Sequence, residues 1–179
     1  MTKYLRMSSN FETNVNPAAA LPEPDPFSPD EFAVWRGFLR VYARVTRELD
    51  RRLLEAHGLG LDAYGVLITL VTAPGGSLTM SELAERHNLS PSGISRAVDR
   101  LARAGLVRRL PNPADRRSFL VGLSSDGLAQ LRSAQVTHHA AVRELLFARL
   151  GGRDLVKLRE LWEKAVPGSV SSPVWPVRD

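Results

Sequence analysis

Apolar residues recur at helical spacing in the first half of the chain, after a proline-rich start. From about residue 29 to His57 they step by three or four positions, which predicts one long amphipathic helix. The positions are Trp35, Phe38, Tyr42, Val45, Leu49 and Leu53. Gly58 is a suitable C-terminal residue for this helix. A second helix is predicted from Asp62, as its N-cap, to about Thr72.

Two short helices are predicted next, joined by a tight turn. Thr79 and Glu82 have the spacing of a capping box, so they open a helix that ends near Asn88. Ser90 followed by Pro91 is typical of an N-cap and first helical position. The helix that they open ends at Gly105, and its apolar face consists of Ile94, Ala97, Val98 and Leu101. This order predicts a helix-turn-helix.

Alternating residues predict a hairpin immediately after this pair of helices. One strand is expected from Leu106 to Leu110 and the returning strand from Phe119 to Leu123, with an arginine-rich tip between them. Ser124 or Ser125 then caps a long helix to about Leu150, and a last helix covers about residues 154–166. The fold class is therefore mainly α with a small β-wing, a winged helix-turn-helix with long N- and C-terminal helices.

These elements predict four parts of the chain. Residues 1–28, rich in Pro, Ala and Asn, are predicted to be an extended or disordered arm. Residues 29–57 and 124–166 form a helical dimerisation region, and residues 58–123 form the winged helix-turn-helix lobe. Residues 167–179 form a C-terminal tail.

Composition excludes several classes of protein. The chain has no cysteine, which excludes disulfides, thiolate zinc sites and thiol-based redox sensing. No apolar run is long enough for a membrane span, and no apolar segment follows the early basic residues as in a secretory signal. A cytoplasmic protein without membrane association is expected.

Positive charge is concentrated in one window. The net charge is +5, and 21 of the 24 basic residues are arginine. From Arg86 to Arg117 there are eight arginines and two acids, a surplus of six, so this window holds the whole excess of the chain. Its coincidence with the predicted helix-turn-helix and wing favours a nucleic-acid partner.

The second helix of the pair carries the residues expected to read DNA. Its exposed face presents Ser92, Ser95 and Arg96, and Arg96 can form a bidentate bond to guanine in the major groove. Gly93 permits a close approach, and Ser90 caps the tip that enters the groove. Phosphate contacts or a role in bracing the fold are expected from Arg86, Arg100 and Arg103.

The predicted hairpin tip carries a second candidate contact. Asp115, Arg116 and Arg117 lie there, and an arginine at such a tip can enter a narrow minor groove. Asp115 is expected to direct the guanidinium of Arg117 through a charge-assisted pair. A solvent-exposed turn with incidental charges is the alternative.

With these residues assembled, the chain resembles the MarR family over about residues 30–166. The matching runs are Met80 to Arg86, Ser90 to Arg109, and Asp115 to Ser124. The resemblance implies a homodimer with interlocking N- and C-terminal helices, whose two lobes read a pseudo-palindromic operator in double-stranded DNA. By position, Ser92, Ser95 and Arg96 match the family's base-contacting residues, and Arg117 matches its wing arginine. It also implies a repressor released by a small aromatic or anionic effector, although the cysteine of the peroxide-sensing members is missing.

Other candidate sites are weaker. Trp35, Phe38 and Tyr42 suit an effector pocket, but at helical spacing they are more often core or dimer interface. His138 and His139 point about 100° apart on a helix, so no metal site is expected there. No catalytic residue or cofactor motif is predicted, because no serine has a placed histidine and acid and no glycine-rich phosphate loop is present.

Three other functions compete with a sequence-specific regulator. A nonspecific architectural DNA-binding protein has the same basic surface but no sequence preference. An enzyme with a winged-helix module needs a catalytic domain, and only two helices are predicted after residue 124. A protein-interaction module that has lost DNA binding is the last alternative.

Overall fold

The computed structural model describes residues 27–87, 90–115 and 117–170. The chain divides into two compact units, residues 1–39 and residues 40–179. The predicted arm up to residue 26, the predicted tail from residue 171, and Arg116 lie outside the described residues.

Helices dominate the described residues, and a small sheet accompanies them, as the sequence predicts. In chain order the elements are α1 (Pro29–His57), α2 (Leu61–Val71), β1 (Ser77–Thr79), α3 (Met80–Arg86), α4 (Pro91–Arg103), β2 (Val107–Pro111), β3 (Phe119–Leu123), α5 (Ser125–Val142) and α6 (Gly152–Ala165). A 3₁₀ turn, Pro74–Gly76, precedes β1, and a π-helical segment, Arg143–Phe147, follows α5.

The start of α2 differs from the prediction. Asp62 lies within the first turn, and the N-cap position belongs to Gly60, which has no side chain to serve as a cap. The backbone N–H of Leu61 instead donates to Asp50 Oδ1 of α1 at 2.8 Å. A carboxylate from the preceding helix therefore satisfies one of the N–H groups that the helix end leaves free.

The caps of the helix-turn-helix are confirmed. Thr79 Oγ1 accepts a bond from the Glu82 amide at 3.2 Å, and the Glu82 carboxylate accepts one from the Thr79 amide at 2.8 Å. That amide, the Thr79 hydroxyl and the charge of Arg86 lower the pKa of Glu82. Helix α3 ends at Arg86, slightly before the predicted Asn88, and α4 begins with Ser90 Oγ accepting from the Gly93 amide at 3.2 Å.

The core of the second unit lies beneath these two helices. The predicted apolar face of α4 is buried, and Leu83 of α3 is fully buried beside it. The largest fully buried side chains are Leu53, Leu67, Leu70, Leu83, Ile94, Val66, Val98 and Val121. Burial of this face leaves the opposite, polar face of α4 in solvent and so orients the helix.

The sheet is antiparallel, with strand order β1-β3-β2. Strands β2 and β3 form the predicted wing hairpin, with Val107 opposite Leu123 and Pro111 opposite Phe119. Strand β1 was not predicted. Its three residues are too few to show an alternation, and they pair across the chain, Leu78 with Val121.

A tight joint connects the end of α4 to the start of α5. The buried Ser124 hydroxyl donates to the Gly105 carbonyl at 2.7 Å and accepts from the Gly127 amide at 2.9 Å. The backbone N–H of Ser124 donates to the Leu106 carbonyl at 3.1 Å. Ser124 is therefore the cap of α5, one of the two candidates that the sequence gives.

The helix predicted from Ser124 or Ser125 to about Leu150 extends to Phe147, but it is not α-helical throughout. α-Helical hydrogen bonding ends at Val142, and the π-helical segment takes over. Glu144 of that segment accepts two bonds from the Arg52 guanidinium of α1, at 2.7 and 2.9 Å, and this pairing lowers the pKa of Glu144. A long-range pair of this kind leaves no periodic signal in the sequence.

Candidate nucleic-acid interface

The outward face of α4 presents a short polar surface. Ser92, Ser95 and Arg96 are exposed, as the sequence predicts, and Gly93 between them is partly exposed. No ion pair among the described residues involves Arg96. The Ser90 hydroxyl is occupied by the Gly93 amide and lies 3.1 Å from Ser92 Oγ. Ser90 therefore shapes the tip of the helix, while Ser92, Ser95 and Arg96 are accessible to a ligand.

The arginines expected to contact phosphates differ in how they are held. Arg86, at the end of α3, and Arg100 are exposed. Arg103 Nε donates to the backbone carbonyl of Asp99 at 3.2 Å, so its guanidinium is turned back along its own helix. Arg86 and Arg100 are accordingly the better placed of the three for an external anion.

The wing tip is a turn held by its own polar groups. Asn112 Nδ2 donates to Ser118 Oγ at 2.8 Å, and the Ala114 amide donates to Asn112 Oδ1 at 3.0 Å. Asp115 Oδ1 accepts from the backbone amide of Arg117 at 2.9 Å.

That bond corrects one prediction about the tip. Among the ion pairs of the described residues, none joins Asp115 to the guanidinium of Arg117. A carboxylate that accepts a bond from the backbone amide two residues later closes an Asx turn. The bond from the Arg117 amide therefore gives the Asp115 carboxylate a partner without the side chain of Arg117. The side chain of Arg117 is exposed.

An ion pair between α4 and the wing was not predicted. Asp99 Oδ1 lies 2.7 Å from Arg109 Nη2, and the Arg109 guanidinium lies over the Phe119 ring, with Cζ 4.7 Å from the ring centroid. The sequence places Asp99 on the outward face of α4, but its partner depends on how the hairpin returns beside the helix. No local signal could have identified it.

A partly buried histidine lies behind the turn between α3 and α4. The imidazole of His87 packs directly on Gly65 of α2: a Cβ added to Gly65 would lie 2.3 Å from His87 Nε2. Burial lowers the pKa of His87, and the nearby Asp62 carboxylate opposes that shift. The folded lobe thus favours the uncharged form of His87 more than the unfolded chain does.

This arrangement predicts that acid weakens the fold. Below the ordinary histidine pKa of 6.5, the unfolded chain takes up a proton more readily than the folded chain, so the free energy of unfolding falls with the pH. Between about pH 7.5 and about pH 5.5, urea titrations should show that His87→Gln loses less free energy of unfolding than the wild type does. Burial and the neighbouring His139 also lower the pKa of His138. A variant that carries both His87→Gln and His138→Gln should therefore lose still less free energy of unfolding over this pH range. Equal losses in wild type and His87→Gln would refute this role of His87.

Trp35, Phe38 and Tyr42, the residues predicted to suit an effector pocket, are exposed rather than buried in the core. In the first unit Trp35 and Phe38 stack with ring centroids 5.9 Å apart, and they are 49% and 41% exposed. Tyr42, in the second unit, is also exposed. Their role as an effector site stays a prediction.

Comparison with known proteins agrees with this geometry. Residues 57–118 match the model of the MarR family. The multiple antibiotic resistance protein MarR of Salmonella typhimurium is 30% identical over 131 residues, which cover 72% of this chain and 90% of that protein. The HTH-type transcriptional regulator PrsX of Escherichia coli is 29% identical over 92 residues, or 51% of this chain. This chain spans about half of PrsX, 55% of its length.

Solved structures extend the likeness to most of the chain. Sco3205, a MarR family transcriptional regulator from Streptomyces coelicolor crystallised in complex with DNA, is 31% identical and superposes with a TM-score of 0.74. The superposition covers 86% of this chain and 98% of that one. The winged helix-turn-helix elements, the family model and these relatives agree, and the chain belongs to the MarR family of transcriptional regulators.

Proposed function

We propose that this protein is a sequence-specific DNA-binding regulator of transcription that acts as a homodimer on a pseudo-palindromic operator. The observation that carries the proposal is the exposed polar face of α4, where Ser92, Ser95 and Arg96 project from a helix whose other face is buried. The major groove of B-DNA accepts one α-helix, and side chains of these types bond to the edges of bases. The crystallisation of Sco3205 with DNA supports the same use of the fold.

The wing and the arginines beside α4 supply the remaining contacts in this proposal. Arg117 enters the minor groove from the hairpin tip, where the negative potential is strongest. Arg86 and Arg100 contact phosphates, which fixes the register of the protein on the duplex without selecting a sequence. Gly93 lets the backbone of α4 approach the groove closely.

The proposed dimer accounts for apolar side chains that each unit leaves in solvent. In the first unit, α1 exposes Phe32, Val34, Trp35 and Phe38. In the second unit, α6 exposes Leu155, Val156, Leu161 and Trp162. Several large exposed apolar side chains on one helix are typical of an interaction site, and a second copy of the chain is the proposed occupant. On this basis residues 29–57 and 124–166 form the dimerisation region around the lobe of residues 58–123.

Repression and its release by a small effector are the finer part of the proposal. The chain is also similar to the HTH-type transcriptional repressor YetL of Bacillus subtilis, 29% identical over 89 residues. The effector we propose is a small aromatic or anionic molecule, because the sequence of α1 contains Trp35, Phe38 and Tyr42 together with several arginines.

Selection of binding sequences from random duplex DNA, followed by hydroxyl-radical footprinting at one fixed salt concentration, tests the proposal. We expect an inverted repeat with half-sites about one helical turn, 10–10.5 base pairs, apart and protection on one face of the duplex. Binding with a steep salt dependence but no selected sequence would identify an architectural protein. A single unrepeated half-site would reject the dimer, and absence of DNA binding would favour an interaction module.

A further inference from the structure

We infer that Asp99, Arg109 and Phe119 form a brace between α4 and the wing, and that Asp99 and Arg109 are positioning residues rather than DNA contacts. The brace is defined by these three side chains, which belong to α4, β2 and β3. The inference rests on the proposed function, since positioning matters only if α4 and the wing bind the same duplex.

The geometry of Arg109 carries the inference. Its guanidinium is bound on one side by Asp99 Oδ1, 2.7 Å from Nη2, and faces the Phe119 ring at 4.7 Å. Arg109 of β2 thus contacts one side chain from α4 and one from β3. The Asp99 carboxylate already neutralises this guanidinium, so a phosphate would gain less attraction from Arg109 than from an arginine without an ionic partner.

Phe119 anchors the brace to the body of the lobe. Its ring is partly buried and packs against the core. It stands opposite Pro111, at the last pair of the hairpin before the tip, while Arg109 stands opposite Val121 two pairs further in. The brace therefore holds the hairpin near its tip.

The position of Asp99 explains what the brace does for DNA binding. Asp99 follows Arg96 by three residues, so it lies one turn along the same outward face of α4. A bare carboxylate there would repel phosphates, and the bond to Arg109 neutralises it. The same bond fixes the distance between the exposed polar face of α4 and the wing tip. These two parts must enter adjacent grooves of the duplex at the same time.

The brace adds little to global stability. Both side chains are about half exposed, 54% for Arg109 and 47% for Asp99, and exposed pairs contribute little to folding. We expect Asp99→Asn to shift the thermal midpoint by no more than about 3 °C. Its effect should appear in the orientation of the wing instead.

The first test measures that orientation without DNA. Because the chain has no cysteine, spin labels can be placed at Arg100→Cys on α4 and Ala114→Cys on the wing, both exposed. The doubly labelled protein is diluted with unlabelled chain so that distances within one chain dominate. A narrow distance distribution that broadens in Asp99→Asn supports the brace, and identical distributions overturn it whether or not the protein binds DNA.

The second test uses the sign of the effect on DNA affinity. Asp99→Asn removes a negative charge near DNA, so electrostatics alone predicts tighter binding, as for the control Glu85→Gln on the exposed face of α3. The brace predicts the opposite: about three- to tenfold weaker binding to the selected operator. Footprint protection at the wing contacts should fade while protection by α4 persists.

The outcomes separate the two hypotheses. Tighter binding by Asp99→Asn with an unchanged footprint would refute the positioning role while leaving the proposed function intact. Failure of the wild type to select any operator would refute the proposed function, and the spin-label distances would still decide whether the brace exists. Arg109→Gln combined with Asp99→Asn should bind no more weakly than Arg109→Gln alone, because the bond is already lost.

Discussion

Gly127→Ala is expected to destabilise the protein by about 3 kcal/mol, the largest loss that we predict for a single methyl group. A Cβ built on Gly127 would lie 2.0 Å from the carbonyl oxygen of Leu106 and 2.9 Å from its carbon, and 3.0 Å from Leu123 Cδ1. The nearest obstacle is backbone, which cannot move aside as a flexible side chain can. The start of α5 would have to separate from the end of α4.

Hydrogen bonds at this joint hold its two sides in place. The Leu106 carbonyl accepts from the Ser124 amide at 3.1 Å, and the Leu106 amide donates to the Leu101 carbonyl at 2.9 Å. The Ser124 hydroxyl holds both Gly105 and Gly127. Moving α5 outward strains the two bonds that cross the joint, from the Ser124 amide to the Leu106 carbonyl and from the Ser124 hydroxyl to the Gly105 carbonyl. The better helix propensity of alanine offsets no more than about 1 kcal/mol.

Gly152→Ala is the matched control, because Gly152 also lies in the first turn of a helix. A Cβ at Gly152 meets nothing within 4 Å, so that substitution should leave the free energy of unfolding unchanged or raise it by up to about 1 kcal/mol. Thermal unfolding at equal protein concentrations should show a midpoint about 6–12 °C lower for Gly127→Ala than for the wild type. A midpoint within about 2 °C of the wild type would mean that the joint is looser than its distances imply.

Signals carried by neighbouring residues were sufficient to predict most of the lobe. The Thr79–Glu82 capping box and the Ser90 cap each depend on residues three positions apart, so they appear in the sequence and are present in the structure. The apolar face of α4 follows from its period alone. The fold class and the family were predictable because these local signals occur in one order.

Features that depend on residues far apart in the chain were not predictable. Asp62 has the residue type of an N-cap, but Asp50 of the preceding helix reaches the Leu61 amide first. Strand β1 exists because β3 lies beside it, and the helix after Ser124 changes to π-helical hydrogen bonding where Glu144 meets Arg52. In each case packing between elements decides the outcome.

The sequence predicted the exposed residues of the candidate site but not the ion pair that connects α4 to the wing. The exposed residues of α4 follow from the helical period, whereas the pairing of Asp99 with Arg109 requires the twist of a hairpin that no local pattern encodes. Gly127 did leave a signal. A glycine in the first turn of a helix costs stability unless close packing requires it, and the Leu106 carbonyl provides that reason.

Arg96→Ala is expected to change which DNA sequences the protein prefers. Arg96 is exposed on the first turns of α4, and no ion pair among the described residues holds it. A bidentate arginine–guanine contact discriminates against the wrong base by about 1–3 kcal/mol per half-site. Selection with Arg96→Ala should therefore return operators in which one base pair of each half-site has lost its preference, while the other positions keep theirs.

Arg86→Ala is the comparison that distinguishes a base-specific contact from a phosphate contact. Arg86 is exposed at the end of α3 rather than on α4, and a phosphate contact there carries no sequence information. Its loss should weaken binding to all sequences about equally and make log Kd less steep against log salt, by about one unit per contact. Quantitative binding to the selected operator and to single-base variants separates the two results. If Arg96→Ala instead weakens every variant by the same factor as Arg86→Ala does, Arg96 binds phosphate and base reading must be assigned to Ser92 and Ser95.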